Sequence, residues 1–144
     1  MAMFAGQSRE QMRRAYLDAW RRAKQGLPLS PLEDQIAAVI GQHPEYHAWL
    51  EDGDAALAEE FDPQRGAMNP FLHLGMHLAI REQVDTDRPP GIRAIHASLA
   101  IRGGGALPAE HRMMEALGET LWESQRSGGA PDEQAYLERL RRLG

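Results

Sequence analysis

Residues 69–84 read NPFLHLGMHLAIREQV and form the least polar long run in the chain. Asn69 is a suitable N-cap, and Pro70 suits the first helical position, where its missing N–H costs nothing. The apolar residues that follow cover most of a helix circumference, and a helix that is apolar nearly all round is usually enclosed by its neighbours. This run therefore predicts a central helix over residues 70–86.

Two histidines stand four residues apart within this run. At about 100° per residue, His73 and His77 fall on the side of Ile80 and away from Arg81, so both rings are predicted to point inward. Side chains four apart on a helix stand one turn above another, about 6 Å apart. Two imidazoles at this spacing can bind one divalent metal ion.

The rest of the chain is predicted to be helical as well. Apolar residues repeat at intervals of three and four after Ser8 and again after the capping-box sequence SPLE at residues 30–33. Further helices are predicted on either side of residues 103–105 (GGG), whereas residues 61–68 read as a loop. No stretch alternates with period two, so strands are not expected. The sequence predicts an all-α, single-domain helical bundle of about six helices over residues 1–144.

The composition is that of an ordinary globular protein. Its 144 residues are enough for one domain with a real core, and 42% of them are hydrophobic and 26% charged. No apolar run approaches the roughly 20 residues of a membrane span, and the N-terminus does not read as a secretory signal. There is no cysteine, which excludes disulfides and thiolate chemistry. We therefore expect a cytoplasmic protein without a membrane partner.

The net charge of −5 is unevenly distributed along the chain. Residues 1–30 carry six basic and two acidic residues, whereas residues 31–62 carry nine acidic and no basic ones. A basic first helix packed beside an acidic second segment accounts for this pattern, and so do two solvated faces. Nucleic-acid binding is disfavoured, because the chain is acidic overall and has few aromatic residues.

Four more candidate metal ligands come from two other segments. His111 and Glu115 are four apart on a helix face that includes Trp122 and is predicted to be buried. His43 and His47 are four apart on either side of a predicted helix break. A second element that offers imidazole or carboxylate groups could complete a set of three or four ligands, as in the metal sites of helical bundles.

Imidazole and carboxylate ligands would suit zinc, iron, manganese or nickel. The sequence HLGMH is not the zinc-protease motif HEXXH, because Leu74 stands where the general-base glutamate would be. Two alternatives to a metal stay open. The histidines could be core residues that hydrogen-bond to Glu115, Tyr46 or backbone carbonyls, or one of them could be a catalytic group without metal.

A function of another class is also compatible with the sequence. The chain could be a non-enzymatic interaction module with structural histidines, whose acidic segment or basic first helix docks a protein partner or a second copy. Exposed Trp20 or Trp49 would favour this hypothesis, because a contiguous apolar patch marks an interface. The chain has no phosphate-binding loop, no nucleophile elbow and no cysteine nucleophile, so no reaction is assigned from sequence.

Nearly the whole chain resembles a family of small proteobacterial proteins, the domain-of-unknown-function family numbered 1841. The strings that carry the resemblance are GQSREQMRRAYLDAW, PLSPLEDQIAAVIGQHPEYH, NPFLHLGMHLAIREQVDTDRPPGIR, EHRMMEALGETLWESQRSG and PDEQAYLERL. The resemblance implies a single bacterial cytoplasmic domain. It implies no activity and no catalytic residue.

Overall fold

A computed structural model of the chain describes residues 9–58 and 69–143. These residues form eight α-helices and one 3₁₀ helix, with no strand among them, so the predicted all-α class is confirmed. The helices are α1 (Arg9–Lys24), α2 (Pro31–Gly41), the 3₁₀ helix (Pro44–Tyr46), α3 (His47–Glu51), α4 (Gly53–Ala58), α5 (Pro70–Thr86), α6 (Ile92–Arg102), α7 (Ala106–Ser127) and α8 (Glu133–Arg142). The count exceeds the predicted six because α3 and α4 are separate short helices. The predicted helix start at Ser8 and the predicted loop at 61–68 lie outside the described residues.

The chain divides into two compact units, Met1–Leu78 and Ala79–Gly144, with the boundary inside α5. The predicted single domain stays a prediction. Among the described residues, no helix combines the length and the apolar character that a bilayer crossing requires.

The start of α5 follows the prediction closely. The side-chain oxygen of Asn69 accepts hydrogen bonds from the backbone N–H groups of Phe71 at 3.0 Å and Leu72 at 3.4 Å. This cap satisfies two of the donors that a helix leaves unpaired at its first turn. Phe71 and Leu74 are buried, whereas Leu72 is 59% exposed, so α5 is open to solvent at this position.

The first unit is built around an apolar core to which α1, α2 and α5 contribute. Gly75 allows close packing here, because a Cβ at this position would lie 3.2 Å from the hydroxyl of Tyr16. Ser30 and Glu33 form the predicted capping box at the start of α2. The buried residues of this core are Tyr16, Ala19, Ile36, Val39, Ile40, Leu50, Ala56, Phe71, Leu74 and Leu78.

The basic first helix is neutralised in part by the acidic segment that follows it. Lys24 forms an ion pair with Glu51, and Arg22 lies 3.6 Å from Glu33. Arg13 is only 2% exposed, and its guanidinium donates to carbonyl oxygens of α4 at 3.3 and 3.2 Å. For these residues, the basic first helix does pack beside the acidic segment, which is one of the two explanations given above for the charge pattern.

In the second unit, α6, α7 and α8 pack on one another. The hydroxyl of Tyr136 donates to the side-chain oxygen of Gln83 at 2.6 Å. Arg139 donates to Thr120 at 2.8 Å and pairs with Glu123 at 2.5 Å. The buried residues of α7 are Ala109, Glu110, Met113, Met114, Ala116, Leu117 and Thr120.

Candidate metal centre

His43 is positioned by the end of α2. It precedes Pro44, and a residue before proline avoids the helical conformation, so the chain turns here. The ring is 2% exposed, and its Nδ1 lies 2.7 Å from the carbonyl oxygen of Val39. Because a carbonyl can only accept, Nδ1 must carry the hydrogen of this bond. In the neutral ring the lone pair then sits on Nε2, which is the atom a metal would bind.

The two α5 histidines present their Nε2 atoms to the same place. His77 is fully buried and His73 is half-buried. The Nε2 of His73 lies 3.2 Å from the Nε2 of His43 and 3.2 Å from the Nε2 of His77. One candidate ligand atom from each of these three rings lies within 4.8 Å of the others. We call these three residues the histidine triad.

The triad rings meet at steep angles and do not stack. The ring planes are inclined by 78° between His43 and His73, by 74° between His73 and His77, and by 60° between His43 and His77. The corresponding ring centroids are 5.0, 4.9 and 4.7 Å apart. Three inclined rings with converging nitrogen atoms can surround a single bound ion.

The nitrogen separations fit a metal centre. Zinc–nitrogen bonds of about 2.0–2.1 Å at a tetrahedral angle place two ligand nitrogens about 3.3–3.4 Å apart. Both short separations in the triad are 3.2 Å, close to that value. The triad therefore needs little rearrangement to accept an ion of this size.

Tyr46 packs against the triad. Its ring stacks on His43 at 5.6 Å with planes inclined by 4°, and it meets His73 edge-on at 6.1 Å. Burial raises the pKa of the Tyr46 hydroxyl, and the nearby Glu45 carboxylate adds to this effect. Tyr46 therefore lines the triad as a neutral side chain.

His47 lies apart from the triad. Its Nε2 is 2.8 Å from the carbonyl oxygen of Ile40, and its ring lies 4.5 Å from that of Trp20. These two contacts are sufficient to hold the His47 side chain in position without a metal. A role for His47 as a ligand stays a prediction.

The predicted buried face of α7 is wrong. His111 and Glu115 are exposed, and Trp122 is 55% exposed. The carboxylate that is buried on α7 is Glu110, which is 5% exposed and accepts hydrogen bonds from the Nε of Arg81 at 3.1 Å. Its spacing of three, seven and ten residues from buried Met113, Leu117 and Thr120 is the signal that could have identified it. Ligation by His111 and Glu115 stays a prediction.

The two tryptophans proposed as interface markers are not exposed. Trp20 and Trp49 are both half-buried and pack against the core of the first unit. The exposed tryptophan is Trp122, which the sequence placed on a buried face.

A comparison with family models matches residues 8–142 to the domain of unknown function DUF1841. No curated protein and no solved structure matches the chain.

Proposed function

The chain belongs to the DUF1841 family, and we propose that it is a metal-binding protein whose histidine triad holds one divalent ion. The observation that carries the proposal is the convergence of three Nε2 atoms, with both distances from His73 equal to 3.2 Å. The ring orientation of His43 supports it, because a ligating histidine usually donates its other N–H to a carbonyl or carboxylate.

A hydrogen-bonded cluster accounts less well for these contacts. With the His43 lone pair on Nε2, only an N–H on His73 Nε2 can make the contact between them a hydrogen bond. That single hydrogen would also have to serve the contact with His77 at the same distance. One proton cannot make two good hydrogen bonds, whereas one metal ion can bind all three lone pairs.

The ligand set narrows the choice of metal. Imidazole nitrogen suits zinc, iron and nickel, whereas manganese prefers carboxylate, carbonyl and water oxygen. We therefore propose zinc, iron or nickel before manganese. The sequence also predicts His111, Glu115 and His47 as further ligands, and a bacterial cytoplasmic location, and these remain parts of the proposal.

Metal analysis of the untagged protein by plasma mass spectrometry tests the proposal. We expect close to one equivalent of metal in the wild-type protein after supplementation with zinc, and its loss in a His73→Ala/His77→Ala double variant. The matched control is His96→Ala, which removes a half-buried histidine of α6 and should retain the metal. Circular dichroism establishes that each variant is folded.

The proposal is wrong if the supplemented wild-type protein holds no metal, or if the folded double variant holds as much as the wild type. The three histidines would then be core residues that bond to one another and to the backbone.

An interaction module is the second candidate, favoured by one observation. Leu121 and Trp122 are adjacent on α7 and are 37% and 55% exposed. A contiguous patch of exposed apolar side chains is typical of a binding surface. Sedimentation of the wild-type protein over a range of concentrations tests self-association, and a Trp122→Ser variant should remain monomeric if this surface joins two copies.

A further inference from the structure

A metal ion held by the triad would keep its full charge. The grouped ligand atoms are imidazole nitrogens, and no carboxylate of the described part of the first unit joins them. Neutral imidazole donates a lone pair without cancelling charge, and the Val39 carbonyl orients His43 to bind in this neutral form. A divalent ion at this site therefore retains two positive charges.

That charge would be held among buried side chains. His77 is 0% exposed and His43 is 2% exposed, and the neighbouring Leu74 and Leu78 of α5 are buried in the apolar core. A charge removed from water is costly unless a counter-charge accompanies it. The site consequently favours a negatively charged ligand on the metal.

The first unit also leaves coordination incomplete. It supplies three nitrogen atoms, whereas zinc and cobalt in such sites take at least four ligands. At least one ligand must come from outside that unit. Of the three histidines, His73 is half-buried, whereas His43 and His77 are buried.

We infer that the metal-loaded triad binds a small anion with an oxygen or nitrogen donor, such as hydroxide, a carboxylate or azide, directly on the metal. The inference rests on the proposed function, because it requires the metal. It gives the site a class of external ligand and a coordination position at which that ligand can exchange. In a purely structural metal site, protein ligands would fill every position.

Cobalt substitution makes this position visible, since the visible absorption of Co²⁺ reports its ligands. The untagged protein is loaded with Co²⁺ and titrated with sodium azide at constant ionic strength, and sodium perchlorate serves as a weakly coordinating control. We expect azide to cause a saturable shift of the cobalt bands, and perchlorate to cause none.

The outcomes separate this inference from the proposed function. A cobalt spectrum that azide leaves unchanged would show metal binding but overturn the anion position. If a His111→Ala variant then became sensitive to azide, His111 would be the ligand that closes the site, as the sequence predicts. A protein that gives no cobalt spectrum at all would contradict both proposals.

Discussion

The first half of α5 and the middle of α7 look alike in sequence but differ in structure. Both carry a polar pair four residues apart within an apolar pattern, His73 and His77 on α5 and His111 and Glu115 on α7. On α5, His77 is fully buried and His73 half-buried, as predicted. On α7, both members of the pair are exposed.

Bulky side chains therefore do not by themselves identify the buried face of an amphipathic helix. On α7 the bulky side chains of Leu121 and Trp122 are exposed, whereas the buried face combines Met113 and Leu117 with the smaller Ala116. Small residues let helices approach closely, whereas bulky ones can remain at the surface. On α5 apolar residues cover most of the circumference, so most positions are expected to be buried whichever way the helix is turned.

The largest effect that would test this comparison comes from the two carboxylates of α7. Glu110→Gln should destabilise the protein by about 3 kcal/mol, because it removes the buried negative charge that pairs with Arg81. The matched variant Glu115→Gln should change the free energy of unfolding by less than about 0.5 kcal/mol, since Glu115 is exposed. Urea denaturation of the three proteins measures both values.

If Glu115→Gln were the more damaging change, the assignment of the buried face of α7 would be reversed. Equal effects would show that the Arg81–Glu110 pair contributes no more than a surface contact.

The next largest effect concerns the histidines. Zinc at about one hundred times its dissociation constant should stabilise the wild-type protein by about 2.7 kcal/mol, which corresponds to a rise of about 5–10 °C in Tm. His73→Gln should abolish this rise, because the Nε2 of His73 makes both short contacts of the triad. Thermal unfolding with zinc and with a chelator measures the shift.

His47→Gln is the control for this experiment. His47 binds the Ile40 carbonyl and packs on Trp20, so its loss should lower Tm in the absence of metal but leave the zinc-dependent rise intact. A zinc-dependent rise that survives in His73→Gln would contradict the assignment of the triad. The rise in His111→Ala measures the contribution of His111 that the sequence predicts.

Much of the fold could be predicted because its signals are local. Asn69 and Pro70 fix the start of α5, Ser30 and Glu33 form the expected capping box, and the helix end at Thr86 agrees with the prediction. The short helices α3 and α4 have weaker local signals, since helices of this length depend on packing more than on propensity. Packing against neighbouring helices also determines which face of α7 is exposed, and the sequence of α7 alone does not contain that information.

Two of the three triad members could be predicted, whereas the third could not be distinguished from its neighbour His47. His73 and His77 share a helix, so their common face follows from their spacing. His43 comes from another element and adjoins His47, and nothing in the sequence tells which of these two rings approaches α5. The choice is made by Pro44, which breaks the helix between them, and by the carbonyl groups of Val39 and Ile40, which bind the two rings separately.

The smallest effect would sharpen the account of α7. Trp122 is 55% exposed, and the guanidinium of Arg126 lies 4.6 Å from the centre of its ring. Such an exposed cation–π contact contributes about 0.5–1 kcal/mol, so Trp122→Ala should lower the free energy of unfolding by no more than that. A loss of several kcal/mol, as expected for a buried tryptophan, would mean that this stripe is covered in solution. Because Trp20 and Trp49 pack in the first unit, the matched variant Trp49→Ala should give that larger loss in the same denaturation experiment.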